Sequence, residues 1–217
     1  MCDSAFSEER LHALRRTMGS RLSAYRFAHS CGVEREVTAL AALYCPGKAS
    51  MLAAAALLHD LTKEYDEPTQ KDLLQAAGVT LRPDEQAPGI WHAMTAPFVI
   101  RRDFPDFAVP ELLSAVRWHT TGRAGMTLPD ALLFLADMTE PGRTFAGCVA
   151  LRRMLWEPDM QNMTPSARLL HLYTVLLACY EDIQKRLSVA GLPLSRDTAE
   201  AAADLQTQIT LLERNKT

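Results

Sequence analysis

Four histidines, His29, His59, His92 and His119, and two aspartates, Asp60 and Asp137, are the residues of this sequence best suited to chemistry. His59 and Asp60 are adjacent at the end of the apolar run MLAAAALLHD. The others stand in RFAHSCGV, IWHAMTAP, RWHTTG and FLADMTEPGR. Neutral imidazoles and carboxylates are ligands of divalent transition metals, so the chemistry in prospect is metal-dependent hydrolysis. Taken singly, each residue has a plainer role. An isolated helical histidine is more often a hydrogen-bonded core or surface residue, and Asp137 could equally be a buried cap or ion-pair partner. His12, in a charged N-terminal stretch, and His171, in a long helix with no partner motif, read as structural.

What favours a shared site is where the histidines fall. The four lie in different predicted helices, each near an end and about one helix-loop-helix length apart, as a bundle-core site requires. Leu11, Leu14, Met18, Leu22 and Tyr25 recur at helical spacing behind Ser7, a candidate N-cap, and Gly19-Ser20 is the expected break. A second stretch carries Val33, Val37, Leu40 and Tyr44 and stops at Pro46-Gly47. Residues 49–58 are apolar almost all round, the mark of a central buried helix.

After a polar interval around 66–68, QKDLLQAAGV predicts a short helix ending at Gly78. Pro97, inside the His92 stretch, predicts a kink or restart. Pro110 opens a helix through Trp118 that Gly122 helps to terminate, and Thr127 caps one whose Leu132, Leu135, Ala136 and Thr139 share a face. A long helix from Pro165 to about Gly191 and a weaker one over 198–212 complete the series.

Composition agrees. Leu and Ala dominate a chain of 217 residues that is 48% hydrophobic and 23% charged, which favours an all-α fold in one domain, with its core at about 21–153 and C-terminal helices at about 164–214. A net charge of -3 argues against a nucleic-acid partner but allows a small anionic substrate. Five scattered cysteines without a C-x-x-C suggest reduced thiols in a cytoplasm. The acidic N-terminus and the lack of a long apolar run speak against a signal peptide and a membrane partner. A homodimer stays open.

Arg26 lies three residues before His29, and Lys63 one helical turn beyond His59, so each is expected on its ligand's face, where it could hold phosphate oxygens. Spacing alone leaves simple solvated cations as the alternative. No glycine-rich phosphate loop is present to share that task.

RFAHSCGV, LLHDLTKE, WHAM, HTTG and ADMTEPGR, in this order and spacing, resemble the HD-domain metal phosphohydrolases, specifically the YqeK-like symmetrical bis(5'-nucleosyl)-tetraphosphatases, from about Arg21 to about Arg153. HTTG followed by ADxxEPxR is the specific part, and the chain departs from the pattern at Cys31, Thr95 and Pro97.

The resemblance implies an HD-domain helical bundle around two divalent or mixed-valence metal ions. Iron is the expected metal, with manganese, zinc or cobalt compatible. His29, His59 and Asp137 would hold one ion, His92 and His119 the other, and Asp60 would bridge. Lys63, Arg26, Thr121 and Arg143 would line the phosphate side, with Lys63 and Asp60 in catalysis and Glu140 behind the ligands. The implied activity is cleavage of dinucleoside polyphosphates, chiefly diadenosine tetraphosphate, into two nucleoside diphosphates. Alternatives are another HD nucleotide phosphohydrolase, acting on nucleoside monophosphates or guanosine tetraphosphate, and a non-catalytic nucleotide-binding HD module.

Overall fold

The computed structural model describes residues 4–214, and Cys2 lies outside them. Among the described residues ten α-helices are joined by turns and short 3-10 segments, with no strand. They are α1 (Glu8–Arg21), α2 (Ala24–Tyr44), α3 (Ala49–Leu58), α4 (Glu67–Ala76), α5 (Trp91–Asp103), α6 (Pro110–Trp118), α7 (Leu128–Thr139), α8 (Ala146–Trp156), α9 (Pro165–Val189) and α10 (Arg196–Arg214).

Helix α3 is the axis of the arrangement. Met51 to Leu58 are all buried, because α1, α2, α6 and α7 pack around it and leave it no solvent face. Burying a leucine such as Leu52, Leu57 or Leu58 contributes roughly 1.5–3 kcal/mol, so the hydrophobic character read from the sequence is what places α3 centrally. Helix α5 packs on α4 and α6, while α8 and α9 close over α7 and α10 lies along α9. No helix among the described residues is long and apolar enough to cross a membrane.

Local chemistry sets the ends. Ser7, Ser23, Asp66, Thr127 and Thr164 each accept a backbone N–H from three residues on, which satisfies one of the orphan donors of a first turn. Thr127 and Asp130 form a reciprocal capping box on α7. The polar interval expected at 66–68 is therefore the start of α4, with Asp66 its cap.

The break expected at Gly19-Ser20 falls instead at Leu22–Ser23. Ser20 returns its hydroxyl to the Thr17 carbonyl within α1, and Gly19 lies against the Phe27 ring, so the helix is held until Ser23 caps its successor. Nor does α5 restart at Pro97. Interior proline costs about 3 kcal/mol, but Val99 and Ile100 just beyond it are fully buried and together contribute roughly as much or more.

Candidate metal centre and its cleft

Every candidate ligand sits at or near a helix end. His29 is in the second turn of α2, His59 and Asp60 directly follow α3, His92 is the second residue of α5, His119 directly follows α6, and Asp137 is in the last turn of α7. The packing around α3 brings all six together. Asp60 is at their centre, and its two oxygens face different neighbours. Oδ1 is 3.3 Å from His92 Nε2 and 3.7 Å from His119 Nε2, whereas Oδ2 is 3.4 Å from His59 Nε2 and 3.8 Å from His29 Nε2. Asp137 Oδ1 closes the second side, 2.9 Å from His29 Nε2 and 3.9 Å from His59 Nε2.

The imidazoles are oriented from behind. His59 Nδ1 donates to the Ala56 carbonyl at 2.6 Å and His119 Nδ1 to the Val116 carbonyl at 2.7 Å, each one turn back on its own helix. His29 Nδ1 donates to Glu140 Oε1 at 3.1 Å. With Nδ1 engaged in this way, the Nε2 atom of each ring is turned inward. Glu140 reaches His29 only because residue 32, one turn on, is glycine: a Cβ there would lie 2.3 Å from Glu140 Oε2.

Burial and charge set the protonation states. Desolvation pulls His92 well below the usual histidine range despite Asp60, and likewise lowers His119, so both are neutral and able to ligate. Burial would also lower His29, but its bonds to Asp137 and Glu140 win and push it up to about 9. Burial would raise Asp60, yet the surrounding imidazoles of His59, His119 and His92 hold it well below the carboxylate range. Asp137 is driven far down, against its burial, by Arg143 and His29.

The cations are placed more specifically than spacing suggested. Arg26 ion-pairs with Asp60 Oδ2, and Arg143 with Asp137 Oδ1 while its Nε donates to the Asp137 carbonyl at 2.7 Å. Lys63 does not share a helix face with His59, because α3 ends at Leu58 and the chain continues in tight turns, with Lys63 N–H bonded to the Asp60 carbonyl. Its ammonium instead donates to the Gly89 carbonyl at 3.2 Å and lies 3.3 and 3.5 Å from the two ring nitrogens of His92. Desolvation lowers its pKa.

Thr121 lines the same cleft, but its hydroxyl is turned to the Gly122 carbonyl. The neighbouring Thr120, which spacing did not single out, places its hydroxyl 3.2 Å from His92 Nε2 and 3.1 Å from His119 Nε2. Gly122 has φ +65, and a Cβ on it would strike the Tyr180 hydroxyl, so this turn after His119 admits no side chain.

The cluster opens into a cleft of about 510 Å³. Its far wall combines Pro88 and Ile90 before α5 with Leu187, Leu192 and Pro193 around the end of α9. Nothing in the local pattern of these ordinary apolar residues announced that role. Two polar links hold the wall together. Arg82 pairs with Asp197 at 2.6 Å, and the Arg196 N–H donates to Asp84 at 2.8 Å.

The centre fits divalent metal ions. The Nε2 atom of His59 is buried without a hydrogen-bond partner, a state that is expensive unless something electrophilic meets the lone pair. Ligand atoms of His29, His59 and Asp137 lie within 4.8 Å of one another, as do those of His59, Asp60 and His119. The second group includes His59 where His92 was expected. His92 stands beside that group, its Nε2 3.1 Å from His119 Nε2.

An all-α bundle with this histidine and aspartate centre is an HD-type hydrolase. Its fold matches the crystal structure of a predicted HD superfamily hydrolase involved in NAD metabolism from Clostridium acetobutylicum, with a TM-score of 0.75 and 24% identity over 91% of this chain and 97% of that one. The chain is 30% identical, over 65% of its own length and 75% of the relative's, to the symmetrical bis(5'-nucleosyl)-tetraphosphatase of Bacillus subtilis. It is 31% identical, over 60% of its length and 69% of the relative's, to the protein of the same name from Halalkalibacterium halodurans. It belongs to the family of symmetrical bis(5'-nucleosyl)-tetraphosphatases. No family model matches the chain.

Proposed function

We propose that this protein hydrolyses dinucleoside polyphosphates, chiefly diadenosine tetraphosphate, at the middle phosphoanhydride bond to give two molecules of ADP, with a pair of metal ions, iron in our reading, at the Asp60 centre. The observation that carries the proposal is the division of Asp60, whose oxygens face His92 and His119 on one side and His29 and His59 on the other. That arrangement suits one carboxylate shared between two ions, and the family membership points to the same substrate.

Charge balance supports the need for metal. Asp60 and Asp137 are each matched by a guanidinium, and the Lys63 ammonium stands beside His92 as a further cation. One ammonium cannot offset a chain of four phosphates. Divalent ions bound here supply an activated water at neutral pH and neutralise phosphoryl charge, and four imidazoles with two carboxylates suit iron, manganese, zinc or cobalt.

The side chains do the positioning. Asp60 and Asp137 fix the ligand frame. Lys63, beside His92, is placed to hold a phosphate oxygen and to stabilise the charge that grows on it. Arg26 and Arg143 retain guanidinium donors beyond those bonded to the carboxylates and can add phosphate contacts. The apolar wall keeps bulk water from one nucleoside. A nucleoside diphosphate leaves as a stable anion, so no side chain has to protonate it.

The test is metal analysis of the purified protein together with chromatography of its products from diadenosine tetraphosphate. ADP as sole nucleotide product, with bound metal, is expected. AMP with ATP, or release of inorganic phosphate from a nucleoside monophosphate instead, would overturn the reading, as would tight nucleotide binding with no product over hours.

A further inference from the structure

The cleft has two ends, and they are furnished differently. At the Asp60 Oδ1 end stand His92 and His119, with Lys63 linking His92 to Gly89. Pro88 and Ile90 of the apolar wall belong to this end, since they flank the Gly89 that Lys63 contacts, and Thr198 donates its hydroxyl to the Thr121 carbonyl at 2.9 Å, which sets the start of α10 beside His119. At the Oδ2 end stand His29 and Arg26, and next to Arg26, on the first turn of α2, is Tyr25. The Arg26 guanidinium lies 5.7 Å from the centre of the Tyr25 ring.

Tyr25 is a lining residue of the cleft and yet is 77% exposed. Phe134, also of the lining, is 1% exposed and packed at a tilt against Tyr180 in the core. A large exposed aromatic does little for the fold. At the lip of a site that handles phosphates, it offers a flat apolar face and an adjoining guanidinium.

A dinucleoside tetraphosphate whose middle bond lies at Asp60 must send one nucleoside toward each end. The wall at the Oδ1 end accounts for one of them. We propose that Tyr25 is the stacking platform for the nucleobase of the second nucleotide, the half that departs past Arg26, and that it thereby makes the enzyme prefer dinucleoside over mononucleoside polyphosphates. The proposal rests on the substrate class assigned above.

The experiment compares diadenosine tetraphosphate with adenosine 5'-tetraphosphate, which presents the same middle bond without a second nucleoside, for the wild type, Tyr25→Phe and Tyr25→Ala. Tyr25→Ala should lower the ratio of kcat/KM on the dinucleotide to that on the mononucleotide by about tenfold, the size of one base stacked on an aromatic. The loss should appear in KM for the dinucleotide, with kcat kept. Tyr25→Phe, which retains the ring face, should keep the wild-type ratio. An unchanged ratio in Tyr25→Ala, or a Tyr25→Phe variant as impaired as Tyr25→Ala, overturns the proposal. A wild type that yields no ADP from diadenosine tetraphosphate overturns the substrate reading beneath it, and that result is seen without any variant.

Discussion

The orientation of the candidate ligand histidines is set by groups that lie behind the rings. His59 and His119 are each held by a carbonyl of their own helix, Ala56 and Val116, whereas His29 depends on Glu140 from the far end of α7. Replacing Glu140 by Gln removes the charged acceptor and should weaken metal binding roughly 10- to 100-fold, read by competition with a chelator, while the fold is kept. Asp60 and Lys63 separate by readout. Asp60→Ala should lose turnover and bound metal together, since one carboxylate faces both halves of the centre; full activity in metal-depleted Asp60→Ala protein would dismiss the mechanism. Lys63→Ala should keep its metal and lose about a hundredfold in kcat. Loss of metal with an unchanged rate per metal would remove Lys63 from its assigned role. At this scale the six side chains that cluster were legible from residue type and motif order, but their partners were only partly so. Glu140 stands within the ADMTEPGR motif and Thr120 within HTTG, so proximity to a motif was the available signal. Which threonine hydroxyl faces the histidines is decided by the turn at Gly122.

The helices carry the site because their ends are fixed by short-range chemistry. Thr127 accepts the Asp130 N–H at 3.3 Å, and Asp130 accepts the Thr127 N–H at 3.0 Å. Thr127→Ala should lower stability by about 1 kcal/mol, measured as a shift of the denaturation midpoint. Bound metal should be unchanged, because Asp137 is at the opposite end of α7. A drop in metal content at the folded plateau would show that the cap acts on the site itself. Caps of this kind are readable from sequence, as Ser7 and Thr127 were, and so was the all-round apolar character of α3. What escaped local reading depended on distant packing. Gly19-Ser20 looked like a break, but the Phe27 ring covers Gly19. Pro97 looked like a restart, but the buried side chains beyond it carry the helix through. Helix α8 went unanticipated although it starts three residues after Arg143, the last residue of the ADMTEPGR motif.

Across the whole molecule, the candidate metal ligands and the C-terminal part of the cleft wall come from separate stretches of chain. The six ligands come from residues 29–137, while much of the cleft's apolar wall comes from the end of α9 and the segment leading to α10. The Arg82–Asp197 pair joins that segment to the loop before α5. Arg82→Ala should therefore raise KM several-fold, in keeping with a partly exposed ion pair of at most about 1 kcal/mol, and leave kcat and metal content alone. An equal fall in kcat would place Arg82 in the chemistry. The local pattern had predicted helices in the C-terminal region; it had not shown that this region faces the candidate metal centre, because Leu and Pro acquire that role only through where α9 docks.

This ordering along the chain bears on synthesis. A polypeptide leaves the ribosome N-terminus first, and every candidate ligand precedes residue 138 whereas Leu192 and Pro193 come more than fifty residues later. The nascent chain thus exposes its whole set of candidate ion-binding side chains before the α9–α10 part of the cleft wall has been made, which leaves a window for loading cations while the cleft is still open on that side.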